Sequence, residues 1–126
     1  MYALLDLPGM RRCCIDNTGI GRQFAERAQE KFGEHKVEAI TFTPAVKEEI
    51  AYPVRAAFED RTIRIPGEPK VRADLRGIRK EETAAGNARF AADRGPQGHS
   101  DRFWAMGLAL HAAKPCGLAY TAEVIA

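Results

Sequence analysis

Hydrophobic positions recur along this chain in two rhythms, short runs and helical stripes, and the two alternate. Residues 11–16 are apolar towards their end and are closed by Asn17-Thr18-Gly19, which predicts a buried strand running into a turn. From Ile20 the spacing Ile20, Phe24, Ala28, Phe32 marks one helical face, and Gly33 stops it. Residues 36–42 predict a second strand, with Val37, Ala39 and Ile40 or Phe42 available for burial. Thr43-Pro44 then reads as an N-cap followed by proline at the first helical position. Val46, Ile50, Val54 and Phe58 form the stripe of that helix, which Pro53 is expected to kink or split. Strand, helix, strand, helix predicts a parallel α/β core.

The second half is less regular. Residues 62–65 alternate and are cut off by Pro66-Gly67, which predicts a short edge strand. Residues 71–78 are ambiguous, with Val71, Leu75 and Ile78 at helical spacing. Residues 79–83 and 88–92, joined through Ala85-Gly86-Asn87, predict a hairpin. A loop over residues 94–98 leads to a last helix, with Ser100 as N-cap, Asp101 in the first turn and an end near Lys114. Phe103, Gly107 and Leu110 share a face of it, with Trp104, Leu108 and His111 beside them, so this helix should be largely buried. Residues 1–9 read as the tail of a helix ended by Pro8-Gly9, and 115–126 as a tail without legible chemistry.

Composition narrows the class. A chain of 126 residues, 45% hydrophobic and 29% charged, fits one globular domain, and no apolar run approaches the ~20 residues of a membrane span. The opening residues lack the basic start and long apolar core of a signal peptide, and the cysteine pattern suits a reduced, cytoplasmic setting. Cys13, Cys14 and Cys116 are odd in number and form no C-x-x-C pair; His35, His99 and His111 are widely scattered. Neither pattern predicts a structural zinc site. The net charge of +2 is uninformative, but residues 61–102 carry ten Lys/Arg against six Asp/Glu, a basic half that permits a polyanionic partner or simply a solvated surface.

Three groupings carry candidate chemistry. Gly19-Ile20-Gly21 follows a strand and opens a helix, as a dinucleotide fingerprint does, but its third glycine position is Phe24, too large for close helix–strand packing. No Walker A sequence is present. His99, two residues before Asp101, is the histidine placed nearest a possible site, or else a turn residue. The third grouping is Asp16 with Asp101. Ligands of open α/β sheets collect beyond the carboxyl ends of the strands, where Asp16 falls. A last helix packed across the sheet would bring Asp101 there too. Clustered carboxylates repel unless cations intervene, and their hard oxygens suit Mg²⁺ or Mn²⁺. The plainer alternative is that each aspartate only caps a turn or a helix.

Ile15-Asp16-Asn17-Thr18-Gly19-Ile20-Gly21, then residues 58–66 (Phe58-Glu59-Asp60-Arg61-Thr62-Ile63-Arg64-Ile65-Pro66), then His99-Ser100-Asp101-Arg102-Phe103-Trp104-Ala105 follow one another as in phage terminase large subunits. The chain resembles the nuclease domain of that family over residues 10–114, with the Mu-like phage and prophage group most similar. The resemblance implies an α/β, ribonuclease H-like sheet flanked by helices, incomplete at its N-terminal strands, with a β-hairpin before the last helix. It implies a Mg²⁺- or Mn²⁺-dependent endonuclease that cuts concatemeric double-stranded DNA by a two-metal mechanism in the bacterial cytoplasm. Asp16 and Asp101 match the second and third acidic ligands of that site. The portal and the terminase small subunit are implied as partners. The family's first catalytic aspartate precedes the region where this chain starts, so the chain reads as a partial domain (1–126) that alone cuts poorly or not at all. Missing strands would expose a sheet edge and favour self-association. In such a nuclease the basic hairpin, with Arg79, Lys80, Arg89 and Arg94, would track DNA phosphates. The alternatives are a DNA- or portal-binding module without turnover, or another ribonuclease H-like nuclease.

Overall fold

Cys13–Asp16 (β1) and Val37–Ile40 (β2) pair in parallel, with Cys14 opposite Glu38 and Asp16 opposite Ile40. This pair lies near the middle of a computed structural model that describes residues 2–86, 88–92 and 100–114. Strand alternation divides its side chains between two faces. Val37 faces one way and packs with Leu5 and Ala28, joined by Cys13 and Ile15. Ile40 faces the other, with Ile50 and Leu108, joined by Cys14. The first face is covered by the short helix α1 (Tyr2–Leu5) and by α2 (Gly21–Phe32). Leu5 is fully buried there, so the opening helix belongs to the core.

The stripe of α2 differs from the expected one. Ala25 and Ala28 are buried, whereas Ile20 is 81% and Phe24 51% exposed. The reason is close approach: a Cβ on Gly21 would lie 2.0 Å from the Asp16 carbonyl oxygen. Ala25 and Ala28 fill the inward face, Ile20 and Phe24 are turned outward, and Phe32 at the far end still packs against the Leu5, Ala28 and Val37 cluster.

The second face is covered by α3 (Pro44–Glu59) and α5 (Asp101–Ala113). Thr43 caps α3 as expected, its hydroxyl accepting from the Val46 N–H at 3.2 Å, and Pro44 opens the first turn. Pro53 does not split α3, which runs as one helix through it. The two helices cross where Gly107 meets Ile50; a Cβ there would be 2.3 Å from Ile50 Cγ2. Phe103 is buried with Ala51 and Val54 in a third cluster. Burial of such a ring contributes about 1.5–3 kcal/mol.

Residues 62–68 form no strand, contrary to the alternation of 62–65. Arg61 takes a left-handed φ of 56° and the Thr62 N–H bonds back to the Ala57 carbonyl at 3.0 Å, so the segment closes α3. The ambiguous stretch becomes helix α4 (Pro69–Arg76) followed by strand β3 (Ile78–Glu82). With β4 (Ala88–Ala92) it makes the expected antiparallel hairpin, Lys80 opposite Phe90 and Glu81 opposite Arg89. The architecture is α/β, helices on both faces of the parallel pair and the hairpin as a separate ribbon. None of the described helices is long and apolar enough to cross a membrane.

Candidate active site

Asp16 closes β1 and faces the α5 side by strand alternation. The Thr18 N–H donates to its Oδ1 at 2.9 Å, and the Thr18 hydroxyl donates to the same oxygen. The turn therefore occupies one carboxylate oxygen. Gly19 at φ +54° and Gly21 against the Asp16 carbonyl let the chain reverse tightly into α2. This glycine pair is a turn device for Asp16, which accounts for it without a dinucleotide.

Asp101 opens α5 and is exposed. Its helix start is not built as expected. Ser100 is left-handed at φ 57° and its side chain makes no capping bond. Asp74 of α4, 8% exposed, does that work instead: its Oδ2 accepts from the Arg102 N–H at 3.1 Å and from the Arg102 guanidinium at 3.2 Å. A buried carboxylate from another helix thus satisfies the helix end and leaves Asp101 to face outward.

The structure brings the two aspartates to one cavity. Asp16, Thr18 and Asp101 line a space of about 590 Å³ together with Phe42, Trp104, Lys47 and Arg89. Phe42 and Trp104 contact each other with ring centroids 5.2 Å apart, and the Lys47 ammonium lies 5.4 Å from the Trp104 ring. Two carboxylates and two cations around a half-apolar recess suit a phosphate-bearing ligand with a bridging cation. Among the described residues no third Cys, His, Asp or Glu joins the pair in a cation-holding group. Two carboxylates with waters completing the shell are a donor set of the kind Mg²⁺ takes.

The four basic hairpin residues are divided. Arg89 lines the cavity, and Arg79 shares its face through the pairing with Ala91. Lys80 lies on the opposite face, donating to the Tyr52 hydroxyl at 2.8 Å, beside a second, more apolar groove of about 610 Å³. Arg94 and His99 fall outside the described residues, as does Cys116. Sequence reasoning missed Lys47 and Asp74. Lys47 follows the Thr43-Pro44 helix start by one turn, a signal that could have placed it near the strand ends.

A second polar group was not legible at all. Cys14, Glu38 and His111 offer ligand atoms within 4.8 Å of one another, although spacing along the chain predicted no such cluster. Strand register sets Cys14 beside Glu38, and α5 lowers His111 onto them. Arg12 forms an ion pair with Glu38. Burial opposes ionisation of Glu38, but the Arg12 hydrogen bond and charge, aided by His111 and Cys14, outweigh it and hold its carboxyl below the ordinary range. Burial first, then the Glu38 charge, pushes the Cys14 thiol up to about 12.

An α/β domain with one acid at a strand end and another at a helix start lining the same cavity suits one sequence family. Residues 8–113 match the family described as Terminase RNaseH-like domain, so the chain belongs to that family. No curated protein sequence matches it. Among solved structures it is similar to the large terminase nuclease from thermophilic phage G20c, with a TM-score of 0.69 at 24% identity over 87% of this chain and 57% of that one. The same nuclease with bound magnesium matches at TM-score 0.61 and 25% identity, over 76% of this chain and 49% of that one. The Thermus phage P74-26 large terminase nuclease domain gives 0.55 at 24% identity, over 68% and 43%. The chain spans about half the length of these nucleases.

Proposed function

We propose that this chain is part of a divalent-metal-dependent DNA endonuclease of the phage packaging machinery, with Asp16 and Asp101 as its cation-holding pair. The observation that carries the reading is that these two residues, far apart in sequence, line one cavity with Arg89 and Lys47 beside them. A bound Mg²⁺ or Mn²⁺ would supply Lewis-acid stabilisation of a phosphodiester oxygen and a more acidic water, and a two-ion arrangement would need further carboxylates. The chain's own residues do the rest. Thr18 fixes Asp16 through its Oδ1, the Asp74 cap fixes the start of α5, and Arg89 and Lys47 offer charge to the DNA backbone. Cleavage of concatemers, double-stranded DNA as substrate, and docking to a portal and small subunit belong to the same proposal.

Calorimetric or spin-probe titration with Mn²⁺, together with nicking of supercoiled plasmid in Mg²⁺ or Mn²⁺, tests it on the wild type, Asp16→Asn and Asp101→Asn. Wild-type Mn²⁺ binding that weakens in both variants is the expected result, with any nicking lost in step. Cation binding unchanged in both variants overturns the assignment. A second reading, a binding module without turnover, is favoured because among the described residues only a pair of carboxylates lines the cavity, where a two-ion site needs more. It predicts cation-assisted DNA binding by the 126-residue chain with no nicking.

A further inference from the structure

The terminase reading leaves Cys14, Glu38 and His111 without a task. These three lie towards the opposite end of α5 from Asp101, where that helix rests on the β1–β2 pair. The Cys14 Sγ is 3.6 Å from Glu38 Oε2, and His111 Nε2 is 3.7 Å from Glu38 Oε1. Tetrahedral bonds of roughly 2.0–2.3 Å put neighbouring ligand atoms about 3.3–3.6 Å apart. One ligand atom from each of the three residues lies within 4.8 Å of the others, so a shared ion requires them to close in by up to roughly 1 Å.

We propose that Cys14, Glu38 and His111 form a binding site for a thiophilic divalent cation of the Zn²⁺ type, which ties α5 to the β1–β2 pair. Thiolate, imidazole and carboxylate together select Zn²⁺ over Mg²⁺, so this site and the Asp16–Asp101 pair differ in metal preference. Charge balances: the Cys14 thiol gives its proton to solvent, and thiolate plus carboxylate neutralise the ion. Groups that orient ligands are already in place. Arg12 pairs with Glu38 Oε2, leaving Oε1 towards His111. His111 Nδ1 is buried without a hydrogen-bond partner, 4.0 Å from Glu49 Oε1. A metal on Nε2 fixes the proton on Nδ1, where the Glu49 carboxylate can accept it, the usual support for a metal-bound histidine. Three protein ligands leave a fourth position for water.

The test uses the full chain with Cys13→Ser and Cys116→Ser, in which Cys14 is the one thiol, and Co²⁺ as the spectroscopic probe. One equivalent of Co²⁺ should give tetrahedral visible bands and a thiolate-to-cobalt charge-transfer band. Zn²⁺ should abolish both, and excess Mg²⁺ neither. His111→Gln should weaken Co²⁺ binding by roughly tenfold or more. Asp16→Asn with Asp101→Asn should keep the bands, which separates this site from the proposed active site. Absence of the charge-transfer band at saturating Co²⁺ overturns the proposal, as does a band unchanged by His111→Gln. Should the Cys13→Ser, Cys116→Ser chain fail to fold by circular dichroism, melting of the unaltered parent chain still decides. Zn²⁺ raising Tm by several degrees in the parent and not in His111→Gln supports the site, and equal response in both overturns it.

Discussion

Replacing Gly107 by alanine tests the crossing that holds α5 over the sheet. The new methyl would lie 2.3 Å from Ile50 Cγ2, and 3.5 Å from both the Ile50 carbonyl oxygen and Val54 Cγ2. Carbon pairs rest at about 3.5–4.0 Å, so the overlap with Ile50 exceeds an ångström. Ile50 and Val54 are each 1% exposed and have no free space to retreat into. Two effects oppose each other. Alanine gains up to about 1 kcal/mol in helix propensity, whereas overpacking a tight core costs about 1–3 kcal/mol and sometimes more. The depth of the clash puts this site at the upper end, for a net loss of about 1–2 kcal/mol. Unfolding entropy of about 2.1 cal/mol/K per residue over 126 residues converts that into a Tm lower by roughly 4–8 °C. Differential scanning calorimetry reads it directly. Ile50→Leu removes the offending methyl and should recover part of the loss in the double variant. An unchanged or raised Tm for Gly107→Ala would refute the close-crossing argument.

Gly21→Ala drives a methyl into the Asp16 carbonyl oxygen, which is backbone and cannot turn aside; stability should fall by at least the roughly 1–3 kcal/mol of an overpacked site, and a melt within a degree of wild type would contradict this. Asp74→Ala leaves the start of α5 uncapped and should cost about 1–2 kcal/mol in denaturant titration, with Asp74→Asn losing less; equal stability of all three would show the cap to be idle. Because burial and the Glu38 charge raise the Cys14 thiol to about 12, its thiolate forms only as pH climbs towards that value; iodoacetamide at pH 8 should label it far more slowly than a free thiol of pKa about 8.5, and rapid labelling by peptide mass spectrometry would refute the burial argument. If the hairpin meets DNA, Arg89→Ala should lower the salt slope of binding by about 0.9 for its lost phosphate, while Lys80→Ala, facing Tyr52, should leave the slope alone; the reverse order would contradict the placement of the two faces.

Local signals carried much of this fold into the sequence. The Thr43-Pro44 start and the Gly33 stop each act within a few residues, and α3 begins and α2 ends where those signals put them. The hairpin was legible because alternation and a turn coincide. What failed was non-local. Ile20 and Phe24 form an apolar stripe, yet the distance between α2 and β1 selects alanines for the inward face. The alternation of 62–65 found no strand to pair with. Ser100 looked like a cap, but the acceptor came from Asp74 on another helix. At the site, the pairing of Asp16 with Asp101 followed from the general position of strand ends and from family motifs. The Cys14–Glu38–His111 group needed strand register and helix placement, which spacing along the chain does not encode.

The fastening of Arg102 by Asp74 also joins the start of α5 to the helix that leads into the hairpin. Helix α4, which carries Asp74, ends at Arg76, and the hairpin begins at Ile78. The ribbon is thus linked to the N-terminal turn on which Asp101 rides both by this buried carboxylate and by Leu75, Ile78 and Phe90 packed against the Phe103 cluster. If a duplex grips the ribbon as proposed, its pull would reach Asp101 through these same contacts.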